Sequence, residues 1–417
     1  MFLITSVREQ CTYLFQTINT FRTWSQFFCD LLGNLCHNKA ERKQLNMEHP
    51  DYLDKRDFTG EDKSSPSTMP MDVAYDSLAE IATKFSKLAS TTHDPRYLQE
   101  YIKTGVLMAQ SQASPHDFAV MIRACREMYR ANCVFASYRH IRKVSIFGSA
   151  RIKQDEPAYH TTLEFARKCN EHGYMVITGG GPGIMQAANE GAGVERSFGL
   201  NITLPFEQHS NHVVANSERL INFYYFFVRK LNFVAECDAM VALPGGFGTM
   251  DEVFETLTLI QTGKATIYPL VLLDSPGKTF WLNWMAFIRV ELLDSGLISE
   301  DDLHLIFVTK SPEEAINHID QFYRIFHSYR FIDDKIVIRM NTNIPTPWLK
   351  MIENEFSDLI VEGGHMTLGG PLPEEEDEPH LAQLPRLIFP IKRGNYGRLR
   401  LLIDRINETP NRSYKPE

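Results

Sequence analysis

Short apolar runs and stretches of helical periodicity alternate along the middle of this chain. Val144-Ser145-Ile146-Phe147 is too short for a helix and is closed by Gly148-Ser149-Ala150-Arg151. Residues 161–172 carry a helical pattern that stops at Gly173, a favoured residue just past a helix end. Residues 174–178 form the next apolar run, which enters Gly179-Gly180-Gly181-Pro182-Gly183, and residues 184–192 read as the helix after it. Further strands are expected over 199–204, 239–243, 269–273 and 306–308, and further helices over 220–236, 251–261, 280–294 and 312–326. This alternation predicts an α/β fold, a doubly wound parallel sheet of Rossmann-like type. Several runs lack a polar alternation, as strands buried on both faces do. Ligands of such sheets bind at the carboxyl ends of strands. The glycine loops at 148, 179–183 and 245–248 all fall at such ends and could meet in one crevice.

The flanks read differently. Val73, Leu78, Ile81, Phe85 and Leu88 share one helical face, and helices are expected over 97–110 and 118–138, with a start at Ser114-Pro115. Residues 72–139 are therefore a helical layer. Residues 48–71 are polar, with Ser64-Ser65-Pro66-Ser67 as a linker signal. Residues 1–46 mix Phe, Leu and Cys with polar positions. They read as an extension upstream of Met47, or as an amphipathic helix for a membrane or partner. Together, residues 1–71 read as an N-terminal extension and linker, and residues 140–327 as the α/β domain that carries the glycine loops. Residues 328–417 are an α+β appendage for docking or assembly, with a strand over 335–339, a helix over 347–359 and closing elements at 387–389 and 399–406. The acidic run Glu374-Glu375-Glu376-Asp377-Glu378 reads as a solvated linker.

Composition narrows the partners. The 417 residues are 43% hydrophobic and 23% charged, with a net charge of -9, which argues against general affinity for a nucleic-acid backbone. A small anion remains compatible, because one loop can be positive in an acidic protein. The seven cysteines form no C-x-x-C pair, so neither a zinc site nor a disulfide framework is expected and a reducing, cytoplasmic compartment fits. No apolar run is long enough for a transmembrane span.

The candidate chemistry centres on Pro244-Gly245-Gly246-Phe247-Gly248-Thr249-Met250-Asp251-Glu252, between a strand and a helix. Such a loop offers free N–H groups and the positive end of a helix dipole to an anion. Thr249 and Glu252 also match a capping box, and Asp251 suits the first helical turn, so a helix cap competes with catalysis for these residues. Arg229-Lys230 sits in an aromatic-rich helix, as a snorkelling pair or as cations facing the crevice. Neither a G-x-G-x-x-G nor a G-x-x-x-x-G-K-[ST] pattern occurs.

Pro-Gly-Gly-x-Gly-Thr-x-x-Glu at 244–252, Gly-Gly-Gly-x-Gly-x-Met at 179–185, Arg-Lys at 229–230 and Phe-Gly-Ser-Ala-Arg at 147–151 together resemble the LOG (Lonely Guy) family. Its members are cytokinin riboside 5′-monophosphate phosphoribohydrolases, often labelled lysine decarboxylases. The resemblance spans about residues 140–327 and is nearer the larger bacterial branch than the short plant enzymes. It implies hydrolysis of the N-glycosidic bond of a nucleoside 5′-monophosphate, with Arg229 and Glu252 as the catalytic pair. It also implies that Gly245, Gly246, Gly248 and Thr249 hold the 5′-phosphate. Ser149, Gly180, Gly181, Gly183, Met185 and Lys230 would line the pocket. No cofactor and no metal are expected, and the family implies at least a dimer. A non-catalytic nucleotide-binding module is the alternative. The decarboxylase label would require a lysine poised for a Schiff base, and Lys230, next to the arginine that the resemblance makes catalytic, suits that role poorly.

Overall fold

The computed structural model describes Lys84 and residues 95–204 and 210–410. The helix expected from Val73 to Leu88, the linker and the N-terminal extension lie outside the described residues, Lys84 excepted. Contacts divide the chain at Ala119 into two units. The first contains α1 (Pro95–Gln110) and the start of α2 (Pro115–Ala136), where Asp117 accepts hydrogen bonds from the Ser114 N–H and hydroxyl.

The second unit is built on a seven-stranded sheet. Its strands are β1 (Lys143–Phe147), β2 (Met175–Thr178), β3 (Ser197–Ile202), β4 (Leu220–Phe223), β5 (Ala239–Ala242), β6 (Leu270–Leu273) and β7 (Ile306–Thr309). The order is β4-β3-β2-β1-β5-β6-β7 and every pairing is parallel. The crossovers run outward from β1 to β4, then return to the other side of β1 with β5. The strand order therefore reverses between β1 and β5, where a parallel sheet opens its crevice. The connecting helices are α3 (Pro157–Glu171), α4 (Ile184–Ala192), α5 (Phe226–Ala235), α6 (Phe247–Gln261), α7 (Phe280–Phe287) and α8 (Pro312–Phe322). β1, β2, β3, β5 and β6 are buried along their whole length, which is why their sequences carry no polar alternation.

Several boundaries differ from the sequence expectation: α3 begins at Pro157, before residue 161, and α8 ends at Phe322, short of residue 326. Residues 220–236 are not one helix: β4 occupies Leu220–Phe223 and α5 begins at Phe226. β-Branched and aromatic side chains suit an edge strand as well as a helix, and pairing with β3 decides between them. α6 starts at Phe247, four residues before the expected position, so the loop after β5 is only a few residues long. α7 ends at Phe287 and passes into a π-helical turn at Ile288–Leu293.

A second, antiparallel sheet follows in the order β10-β11-β9-β8, from β8 (Phe326–Ile332), β9 (Lys335–Met340), β10 (Thr367–Gly369) and β11 (Arg386–Pro390). α9 (Thr346–Glu355) and α10 (Tyr396–Asn407) complete it. One apolar core, from Phe147 and Phe198 to Leu387 and Leu402, runs continuously through both sheets. The acidic run is not a solvated linker throughout. Glu375 is 4% exposed and its carboxylate meets the buried Arg339 at 2.7 Å and Arg386 at 3.3 Å. Arg339 and Arg386 are paired neighbours on β9 and β11, their buried charges need carboxylates, and only the folded chain brings these groups together.

Candidate active site

The three glycine loops converge at the reversal of strand order, and the Ser149 backbone is their hub. Its N–H donates to the Pro244 carbonyl at 3.2 Å, and its own carbonyl accepts from the Ile184 N–H at 3.1 Å. The packing leaves no room for side chains at several glycines of these loops, Gly245 and Gly183 among them. A Cβ on Gly245 would lie 2.1 Å from Thr249 Oγ1, and one on Gly183 would lie 2.5 Å from the Ser149 carbonyl oxygen. Gly183 also has φ of +67°, a conformation that L side chains disfavour. At Gly246 and Gly248, by contrast, a Cβ would meet nothing within 4 Å. That open space faces the first turn of α6, whose leading N–H groups have no intrahelical acceptor and carry the positive end of the helix dipole.

The capping box is absent. Gly246 is the N-cap, and no side chain caps the helix. With α6 starting at Phe247, Thr249 falls in the first turn and Glu252 in the second, too far along to reach the N-cap. Thr249 is 6% exposed and sits beneath Gly245. Glu252 is 5% exposed, and its Oε2 has no hydrogen-bond partner among the described residues. Burial raises its pKa from the ordinary 4.5 to about 7, while the positive charges of Arg229 and Lys230 oppose the rise.

Arg229 comes from α5. Its Nε donates to the Leu200 carbonyl of β3 at 2.7 Å, and its guanidinium carbon lies 5.0 Å from the centre of the Phe233 ring. A Cβ on Gly179 would fall 2.5 Å from Arg229 Nη2 and 2.7 Å from Met185 Sδ, so the first glycine of the run makes room for both. Burial pulls the guanidinium below its ordinary pKa, and Glu252 opposes this. The two side chains thus lie within electrostatic reach of each other on neighbouring helices.

Lys230 joins those helices. Its Nζ lies 2.9 Å from both Asp251 and Glu255 on α6. Burial would lower its pKa, but these contacts hold it above the ordinary value. A Schiff base needs a neutral amine, so this lysine does not fit pyridoxal chemistry. Asp251 is spent on the same clamp.

The floor under residues 179–183 is a polar network whose partners lie apart in sequence. The Gly180 N–H donates to Thr178 Oγ1 at 2.9 Å, and the Thr178 hydroxyl donates to Asn189 Oδ1 at 2.8 Å. Asn211 Nδ2 donates to the Gly181 carbonyl at 3.0 Å and to Asn189 Oδ1 at 2.9 Å, and the Asn211 N–H donates to the Gly180 carbonyl. These carbonyls are thereby satisfied, and Gly180 and Gly181 shape the loop. Ser149 Oγ accepts from the Arg151 N–H at 3.1 Å. Gly179, Asn189 and Asn211 carry no periodic signal that would have marked them, apart from the place of Gly179 in the glycine run.

Among the described residues, no group of three His, Cys, Asp or Glu side chains could hold a metal ion, and no helix is long and apolar enough to cross a membrane.

A family model described as "Possible lysine decarboxylase" matches residues 184–319. The chain is 23% identical over 227 residues to a probable cytokinin riboside 5′-monophosphate phosphoribohydrolase of Oryza sativa subsp. japonica, covering 52% of this chain and 85% of that one. It is 24% identical over 187 residues to a cytokinin riboside 5′-monophosphate phosphoribohydrolase of Arabidopsis thaliana, covering 43% of this chain and 84% of that one. Among solved structures, the molybdenum cofactor binding protein of Rippkaea orientalis aligns at 18% identity with a TM-score of 0.33, covering 43% of this chain and 96% of that chain.

Proposed function

The chain belongs to the LOG family, and we propose that it hydrolyses the N-glycosidic bond of a nucleoside 5′-monophosphate. The products are the free base and ribose 5-phosphate. The observation that carries this reading is Glu252, a buried carboxyl with a free oxygen and a pKa of about 7, beside Arg229 and one helical turn beyond an open glycine loop.

In this reading the 5′-phosphate rests on the first turn of α6, over Gly245, Gly246, Gly248 and Thr249. Gly183, Met185 and the Ser149 loop bound the pocket, and Gly180, Gly181 and Lys230 support it. Phosphate binding remote from the reacting carbon fixes the ribose. The C1′–N bond breaks with its electrons leaving on the base, which takes up a proton from solvent to become the free base, and positive charge builds on the ribose ring as in glycoside hydrolysis. Ionised Glu252 steadies that charge and takes a proton from the attacking water, whose oxygen bonds to C1′. Arg229 keeps its proton and acts by charge, orienting Glu252 and favouring electron density on the departing base.

The test is a panel of AMP, CMP, GMP and isopentenyl-AMP, followed for free base, with Arg229→Ala and Glu252→Ala as controls. Release of base that both variants abolish supports the reading. Binding of a monophosphate without cleavage would replace it with a nucleotide-binding module. We place the reaction in the cytoplasm and in a homo-oligomer. Support for the latter is the aromatic surface beside the site, where Phe226 and Phe227 of α5 are about half exposed and Phe247 of α6 is 97% exposed. Sedimentation analysis reads the assembly state directly.

A further inference from the structure

Glu127 on α2 is an acid in an apolar seam. It lies one and two helical turns from Ala131 and Phe135, and all three are buried. A carboxylate in that position is unfavourable unless hydrogen-bonded. Its partners are two backbone N–H groups at the start of α5, Tyr224 at 2.9 Å and Tyr225 at 3.4 Å.

Tyr225 is the N-cap of α5, and no side chain of α5 or its lead-in caps that helix. Glu127 therefore does from another helix what the N3 glutamate of a capping box does locally: it accepts the N–H of the N-cap residue, and it places negative charge at the positive end of the dipole. α2 grips the same point a second time, because the Arg123 guanidinium lies 4.4 Å from the centre of the Tyr224 ring. The Tyr225 carbonyl then accepts the Arg229 N–H at 3.2 Å. One helical turn thus separates the residue that Glu127 holds from the arginine that faces Glu252.

We propose that Glu127 is a positioning residue for Arg229, so that α2 forms part of the catalytic apparatus although it lies outside the residues matched by the family model. Two further observations agree with this. Burial raises the pKa of Glu127, and the hydrogen bonds from Tyr224 and Tyr225 oppose the rise. The chain also turns from β4 into α5 within two residues, so Glu127 holds the end of the strand and the start of the helix at one point.

The inference rests on the hydrolase reading for its effect on rate, but not for its effect on charge. Arg229 holds the Glu252 pKa down, so an Arg229 that swings away must let it rise. The experiment is a carbon-13 NMR titration of the glutamate carboxyls in the full-length protein, with the Glu252 resonance assigned by its loss in Glu252→Gln. In Glu127→Ala the Glu252 midpoint is expected to move above the wild-type value. Glu127→Asp restores it in part. Phe135→Leu, a packing change on the same helix, lowers thermal stability and leaves the midpoint in place. Hydrolysis by Glu127→Ala is expected to fall between roughly 10-fold and 100-fold in kcat, with a smaller change in KM. A Glu252 midpoint equal to that of wild type in folded Glu127→Ala overturns the proposal. A wild-type protein that cleaves no monophosphate overturns the hydrolase reading alone, because the titration still decides the position of Arg229.

Discussion

A carboxyl kept at the edge of ionisation is the chemical centre of this molecule. Glu252 has a folded pKa of about 7 against an ordinary 4.5. The native state therefore binds more protons than the unfolded chain between those values, and ionised Glu252 subtracts stability as pH rises through that window. The penalty is complete above about pH 7 and amounts to roughly 3 kcal/mol if the whole shift is realised. Glu252→Gln should thus unfold at higher urea concentration than wild type at pH 8, with little difference at pH 4. The same variant should lose about 100-fold or more in hydrolysis, the usual scale of a lost general base. Wild-type kcat/KM should rise through pH 7 and level off above it, because the carboxylate is the active form. A stabilised yet inactive Glu252→Gln would identify an acid retained for chemistry at the expense of stability.

At the scale of elements, the loop after β5 shows how close approach is built. Gly245→Ala places a methyl group 2.1 Å from Thr249 Oγ1, so the start of α6 must shift. A loss of about 1–3 kcal/mol, the usual range for overpacking, should appear in chemical denaturation. Gly246→Ala is the informative contrast. Its Cβ meets nothing within 4 Å and its φ is -89°, so the fold should tolerate it. If the 5′-phosphate occupies that space, KM for the monophosphate should rise by about tenfold while the melting temperature stays within a few degrees. An unchanged KM would move the phosphate elsewhere. The Lys230 clamp on Asp251 and Glu255 belongs to this scale too, because it sets the spacing of α5 and α6 and hence the separation of Arg229 from Glu252.

Across the second unit, a single core ties the parallel sheet to the antiparallel one, and a buried ionic knot closes the latter. Glu375 serves Arg339 and Arg386 together, and each of the three is 4% exposed or less. Burial alone would raise the Glu375 pKa, but hydrogen bonds from the Leu372 N–H and both arginines bring it below the ordinary value. Its contribution is present above pH 4.5 and is lost as pH falls through the lowered folded value. Glu375→Gln leaves the buried Arg386 without a carboxylate, while Arg339 keeps Glu378, and should destabilise the protein by about 3 kcal/mol at pH 7, as read by urea denaturation. The titration of Glu252 should not move in that variant, since no member of the knot contributes to its shift.

Much of this architecture was legible without coordinates. Short apolar runs separated by helical periods announced the parallel sheet, because strands buried on both faces and helices packed over them impose those spacings. The glycine loops were legible for the same local reason, since only a residue without Cβ fits where three chain segments meet. Three things were decided in space. Residues 220–223 became a strand because β3 offered an edge to pair with. Glu375 became a buried counter-ion because Arg339 and Arg386 lie beneath it, and no rule of sequence spacing links residues 36 and 11 apart. Glu252 matched a helix cap on paper. The early start of α6 carried it past the cap into a buried place beside Arg229, where burial sets its proton affinity. Local pattern marks most strands, helices and tight turns, whereas an edge strand depends on the neighbour it pairs with and the charge state of a side chain on what the rest of the fold places around it.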